Sequence, residues 1–270
     1  MTDLIVIPSR YGSKRLPGKP LMKIAGRTLL ERVLHVARTA AAKIDGVEIV
    51  VATDDERIFD HAVALGADAV MTESAISSGT GRALAAALSR REAPDVIVNL
   101  QGDAPFVPAE AIISLLGAAR SHDTDVTTPV VALDWAELDA LRQHKRDTPF
   151  SGTTCVRAPD GRALWFSKAI IPAIRDEQKL RLSTDMSPVL RHLGLYAYRM
   201  EALRRFEATP PSFYEQMEGL EQLRFLEMGM QIQAIDIARP HRSMSGIDTA
   251  EDVTLAEQVI AQDGDPLAAA

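Results

Sequence analysis

Short apolar, β-branched runs, each stopping at a polar turn and followed by a stretch of helical spacing, confine this chain to an α/β fold. Leu4 to Ile7 is the first such run, and beyond a basic, glycine-bearing loop Leu29 to Ala42 is spaced as a helix. Val47 to Ala52 is the second, ending at Thr53-Asp54-Asp55 before a helix through Ile58, Ala62 and Leu65. Ala69 to Met71 is a third, short strand; a helical stretch from Arg82 to Arg90 follows, then a buried strand, Asp95 to Leu100, stopping at Gln101-Gly102-Asp103. Such alternation predicts a mostly parallel sheet with helices on both faces, whose ligands bind outside the carboxyl ends of the strands. Three of those ends carry polar chemistry: Ser9 to Lys19, Thr53 to Asp55, and Gln101 to Asp103.

From about Asp125 the rhythm changes. Val126 to Val131, Thr153 to Arg157 and Arg162 to Phe166 read as strands, Ala173 to Pro188 as a mobile charged excursion, and Leu193 to Tyr198 as another strand. Glu215 to Met228 is spaced as one helix, Gln231 to Ile237 as a strand, and Ala250 to Gln262 as a last helix. The expected organisation is one domain over 1–262, with a smaller inserted subregion at about 125–200 and a disordered Gly/Pro/Ala tail over 263–270.

A balance of 30 basic against 37 acidic residues, net −7, disfavours unspecific nucleic-acid binding and leaves room for a local basic pocket. No run approaches the ~20 apolar residues of a membrane span. The first residues place Asp3 where a signal peptide would carry bases, so a cytoplasmic location is expected. The single cysteine, Cys155, excludes an intramolecular disulfide and reads as packing.

The strongest basic cluster runs from Arg10 to Lys19, with four cations and two glycines directly after the first strand. Glycines admit backbone N–H groups close to an anion, Ser13 can donate, and Arg10, Lys14, Arg15 and Lys19 neutralise charge. The glycine spacings of a Walker A loop and of a dinucleotide fingerprint are both absent, and composition alone leaves a solvated basic loop open.

This loop, R-Y-x-S-x-R-L-P-G-K-P-L, resembles that of the 3-deoxy-manno-octulosonate (Kdo) cytidylyltransferases, the CMP-Kdo synthetases. The resemblance continues in order through S-G-T-x-R at Ser78 to Arg82 and V-N-x-Q-G-D-x-P at Val98 to Pro105. R-H-x-G-x-Y-x-Y-R at Arg191 to Arg199, L-E-Q-L-R at Leu220 to Arg224 and G-x-D-T-x-E-D at Gly246 to Asp252 complete it. It implies a sheet of the nucleotide-diphospho-sugar transferase type, with the inserted subregion serving dimerisation and sugar binding. It also implies transfer of CMP from CTP to a keto-deoxy sugar acid, magnesium as cofactor, a homodimer, and a product used in lipopolysaccharide assembly.

By resemblance, Lys19, Asp103 and Asp248 form the catalytic set, and the two aspartates hold the metal. Arg10, Ser13, Arg15, Lys19, Ser78, Gly79 and Arg82 take the nucleotide, while Arg82, Gln101, His192, Tyr196, Glu221 and Gln222 take the sugar. Read without the resemblance, Asp248 could be the N-cap of the last helix, His192 a core histidine, Arg82 a helix-terminal arginine, and Glu221 and Gln222 a solvated face. The in-line displacement itself needs cations on the phosphates and a metal near the α-phosphorus, and the metal can activate the sugar hydroxyl, so no dedicated base is assigned.

The chain departs from the family pattern at Ala104 and Gly81, where glutamate is usual, at Ser9 and Lys14, and through Ser151 to Val156. These departures leave a modified acceptor such as 8-amino-Kdo open. An N-acylneuraminate cytidylyltransferase and a non-catalytic nucleotide-sugar binder are the competing readings.

Overall fold

The computed structural model describes residues 2–12, 16–121, 123–239 and 246–268. In its first part the parallel strands are β1 (Asp3–Ser9), β4 (Val47–Thr53), β5 (Asp68–Met71) and β6 (Val96–Asn99), with β2 (Lys23–Ile24) and β3 (Arg27–Thr28) forming a small separate hairpin. The helices between them are α1 (Leu29–Ala41), α2 (Glu56–Ala64) and α3 (Gly79–Leu88). Then come α4 (Ala109–Ser121), β7 (Val126–Asp134), α5 (Trp135–Asp147), β8 (Thr153–Arg157), β9 (Ala163–Ser167), α6 (Glu177–Arg181), β10 (Met186–His192) and β11 (Tyr196–Arg199). The chain continues through α7 (Met200–Glu207), α8 (Phe213–Glu218), α9 (Gln222–Glu227), β12 (Ile232–Asp236) and α10 (Ala250–Asp263).

All but the hairpin join one mixed sheet, ordered β5-β4-β1-β6-β11-β7-β10-β8-β9, with β12 paired to β7. The β5-β4-β1-β6 half is parallel, as the alternation predicts, and β11 opens an antiparallel half. Alternate residues of β1 face opposite layers: Ile5 and Ile7 pack toward α1, α2, α4 and α10, and Leu4 and Val6 toward α3, α7 and α9. The parallel register brings Ser9 level with Thr53 and Val6 level with Asn99, so three polar strand ends emerge along one edge of the sheet.

Several expectations are corrected. The stretch 173–188, read as a mobile excursion, contains α6 and is pinned to α5 by Arg142–Glu177 (2.7 Å), Arg181–Asp139 (2.6 Å) and the Trp135 indole N–H on the Thr184 carbonyl (2.7 Å). Its charged residues pair with one another, which composition alone does not reveal. The single helix read over Glu215 to Met228 is two, because Gly219 adopts φ +63° and ends α8. The tail, expected to be disordered from 263, is held at Asp265 by the buried Arg32 guanidinium (2.9 Å), which also donates to the Ile24 carbonyl. Residues 269–270 of that tail lie outside the described residues. Cys155 is fully buried in β8 and desolvation pushes its thiol up to about 12, in keeping with a packing role.

A Cβ at position 219 would meet nothing within 4 Å, so the strain of Gly219→Ala lies in the backbone alone. The substitution is expected to cost about 1 kcal/mol in urea unfolding, the price of a left-handed conformation for an L-residue.

Candidate active site

The basic loop after β1 is shaped around Tyr11. Gly18 (φ +70°) donates its N–H to the Tyr11 carbonyl, and a Cβ there would meet the phenol ring at 3.0 Å, while the Arg57 guanidinium covers that ring at 3.5 Å. The turn that follows, Lys19–Leu21, aims Lys19 inward. Its ammonium lies 2.8 Å from Asp103 Oδ2 and 3.0 Å from Asp248 Oδ1, so the two aspartates predicted as metal ligands converge on one point. Asp103 comes from the turn after β6, and the Ile247 N–H donates to the Asp103 carbonyl (2.9 Å), tying the late segment to that turn. Asp248 is not the helix cap: Thr249 caps α10 by accepting from the Asp252 N–H, which leaves the Asp248 carboxylate facing Lys19.

A cavity of about 390 Å³ opens over these residues and gathers Arg10, Lys19, Ser78, Gly79, Arg82, Gln101, Asp103 and Asp248 in its wall. Ser13 and Arg15, predicted to bind phosphate, lie outside the described residues, as does Lys14. Ser78 caps α3 by accepting from the Gly81 N–H (2.8 Å), which turns the partial positive charge of the helix N-terminus toward the cavity. Close approach requires the glycine at 102 and crowds the one at 79. A Cβ on Gly102 would lie 2.5 Å from the Pro8 carbonyl oxygen, and one on Gly79 would lie 3.0 Å from Gln101 Oε1. A larger hollow of about 700 Å³, between α1, the 105–110 turn and the tail, has a more apolar wall and gathers none of the predicted site residues.

Arg82 is only 2% exposed, and its guanidinium turns inward to Asp54 Oδ2 (3.0 Å), the Ile76 carbonyl (3.0 Å) and the Thr72 hydroxyl. It reaches the cavity wall as part of a fixed framework, and Asp54, which secures it, was missed as an individual residue although its strand end was singled out.

The residues assigned to the sugar lie beside the cavity rather than in its wall, apart from Gln101 and Arg82. His192 is buried, hydrogen-bonded through Nε2 to the Thr128 hydroxyl (2.8 Å) and packed between Phe166 and Tyr196 at ring distances of 5.0 and 5.4 Å. Burial, with the nearby Lys168 charge as the smaller cause, pushes its imidazole down to about 3, so it is neutral near pH 7. Glu221 accepts from the Thr80 hydroxyl (2.7 Å), which links α9 to the start of α3. Gln222 is buried with its amide nitrogen unpaired, and Asn99, at the end of β6 opposite Tyr196, is buried with its amide beside the Tyr198 phenol. A buried polar group without a partner is costly, and the Gln222 nitrogen is one such group. Asn99 stood within the quoted V-N-x-Q-G-D string, yet an asparagine there is also what a strand end would carry.

Glu207 was invisible to the sequence. A Cβ on Gly81 would lie 2.8 Å from Glu207 Oε2, so an acid from α7 occupies space beside the position where glutamate is usual in the family pattern. Burial, and then the charge of Glu221, raise the Glu207 carboxyl above the ordinary range.

With this geometry in view, comparison with known proteins is direct. Residues 4–232 match the family model described as cytidylyltransferase. The 3-deoxy-manno-octulosonate cytidylyltransferase of Maricaulis maris is 39% identical over 98% of this chain and 99% of its own. That of Nitratidesulfovibrio vulgaris is 42% identical over 92% of each. A solved CMP:2-keto-3-deoxy-manno-octonic acid synthetase in complex with CTP superimposes with a TM-score of 0.82 at 34% identity, covering 97% of this chain and all of that one. A Leptospira borgpetersenii cytidylyltransferase, at 16% identity and TM-score 0.59, shares the fold.

Two outcomes follow from the packing. Gly102→Ala forces the β6 turn away from Pro8 and is expected to lower kcat/KM by about 100-fold, the scale of a 1 Å misplacement. For His192, the folded value near 3 lies below the unfolded value of about 6.5, so the unfolded chain takes up a proton that the folded one refuses and stability falls as pH drops through that window. Denaturant titrations at pH 7.5 and 5.5 should therefore show the wild type losing about 1 kcal/mol more than His192→Gln.

Proposed function

The chain belongs to the cytidylyltransferase family, among the 3-deoxy-manno-octulosonate cytidylyltransferases, and we infer that it transfers CMP from CTP to Kdo with release of pyrophosphate. The observation that carries the chemistry is the convergence of Lys19, Asp103 and Asp248 in the wall of a cavity that Arg10 and the N-terminus of α3 also line. Arg10, Lys19 and the α3 amides suit the triphosphate, because each offers positive charge or N–H donors along one wall.

The fit of a divalent cation rests on the donor set. Two carboxylate oxygens within 3.0 Å of one nitrogen can also meet at one hard cation, and magnesium takes few carboxylates and keeps waters. Asp103 and Asp248 would hold it. Bound there, magnesium would neutralise phosphate charge and acidify the attacking sugar hydroxyl. The chain's own part is positional: Gly102 keeps Asp103 against β1, the Ile247 to Asp103 hydrogen bond keeps Asp248 opposite, and Gln101 and Gly79 shape the wall between nucleotide and acceptor.

For the acceptor, neutral His192, Tyr196, Gln222 and Asn99 suit a polyhydroxylated sugar, with Glu221 as a fixed acceptor. A homodimer, a cytoplasmic location and supply of lipopolysaccharide assembly belong to the same proposal, in keeping with the family and with the absence of any helix long and apolar enough to cross a membrane among the described residues.

The test is pyrophosphate release from CTP with magnesium, offering Kdo, 8-amino-Kdo and N-acetylneuraminate in separate reactions. Release with Kdo, reduced about 1000-fold or more in Asp103→Ala and in Asp248→Ala, is expected, the scale of removing a main electrostatic contributor. Release with 8-amino-Kdo or N-acetylneuraminate alone would replace the acceptor, and release that needs no divalent cation would remove magnesium.

A further inference from the structure

We propose that the Asp103–Asp248 pair is closed to divalent cations until a nucleotide draws Lys19 away, so that Lys19 alternates between two anionic partners and imposes an order on binding. This rests on the magnesium reading above and extends it to the protein without substrates.

The Lys19 ammonium bridges the two carboxylates at 2.8 and 3.0 Å and is itself only 12% exposed, so it is a settled occupant of the space between them. A cation bridging Asp103 Oδ2 and Asp248 Oδ1 would have to take that same space, and two cations a few Å apart repel. The carboxylates are 33% and 46% exposed, so access from solvent does not exclude a metal; the ammonium does.

Only the side chain needs to move. The backbone of the turn is fixed by the Lys19 N–H on the Leu16 carbonyl (3.2 Å), the Met22 N–H on the Lys19 carbonyl (3.1 Å) and a buried Pro20. The four-carbon stem of Lys19 pivots from a wall shared with Arg10 and Gly12, the wall along which a triphosphate would lie. A phosphate oxygen there offers the ammonium a second anionic acceptor. Its departure uncovers the two aspartates, and the phosphates supply further oxygens to a hard cation. The coupling is reciprocal: nucleotide raises metal affinity at this pair, and metal raises nucleotide affinity. The same contact helps to seat the segment at Asp248 against the β6 turn.

The experiment measures Mn²⁺ binding to the full chain by loss of the free-ion electron paramagnetic resonance signal, in the absence of nucleotide. Wild type is expected to bind weakly. Lys19→Met is expected to bind about tenfold or more tightly, within the usual range of coupling between sites, and Lys19→Met/Asp103→Asn to lose that gain, which places the ion at the carboxylates. Lys19→Gln, which is neutral but still able to hydrogen-bond, serves as the second variant if Lys19→Met fails to fold. Binding by wild type as tight as by Lys19→Met, or no gain in either Lys19 variant, overturns the proposal. Because no turnover is read, these outcomes are separate from whether Kdo is the acceptor.

Discussion

One ammonium draws together three parts of the chain that are far apart in sequence. Lys19 leaves the loop after β1, Asp103 the turn after β6, and Asp248 the segment before α10, and their contacts span 84 and 229 residues. The sheet makes the meeting possible, since β1 and β6 are parallel neighbours and end at the same edge. Gly102 makes it close, since no other residue could let the β6 turn pass the Pro8 carbonyl. Charge then selects one arrangement among those that packing permits.

The two ends of the site differ in kind. Cations, N–H donors and carboxylates line an open cavity. Beside it, His192 is buried and held uncharged by desolvation, the Gln222 amide nitrogen is buried without a partner, and Glu221 is an exposed acid. Under the proposed function the two sets of residues would meet different demands, since a triphosphate needs compensation of charge and a sugar many directed hydrogen bonds.

The parallel half of the sheet was legible because its strands are apolar on both faces and its polar ends are abrupt. The candidate site was singled out from short motifs, of which Arg10, Lys19, Ser78, Gly79, Arg82, Gln101, Asp103 and Asp248 line one cavity while His192, Tyr196, Glu221 and Gln222 do not. What escaped were relations across the fold. The inward turn of Arg82 depends on Asp54, 28 residues earlier, and the acid beside Gly81 comes from α7. The two-helix break hid because Gly219 interrupts an apolar spacing that continues on either side. The order in 173–188 hid because ion pairs between α5 and α6 have no periodicity to read.

Cys155, the chain's single cysteine, lies in β8 with its thiol desolvated and far from ionising near neutral pH. The folded protein thus offers oxidants and alkylating probes no ready thiolate. A cysteine introduced on the surface, for instance in the loop near Lys19 or at the tip of α8, would be the sole reactive thiol of the native molecule. It could carry a spectroscopic label without removal of the natural one.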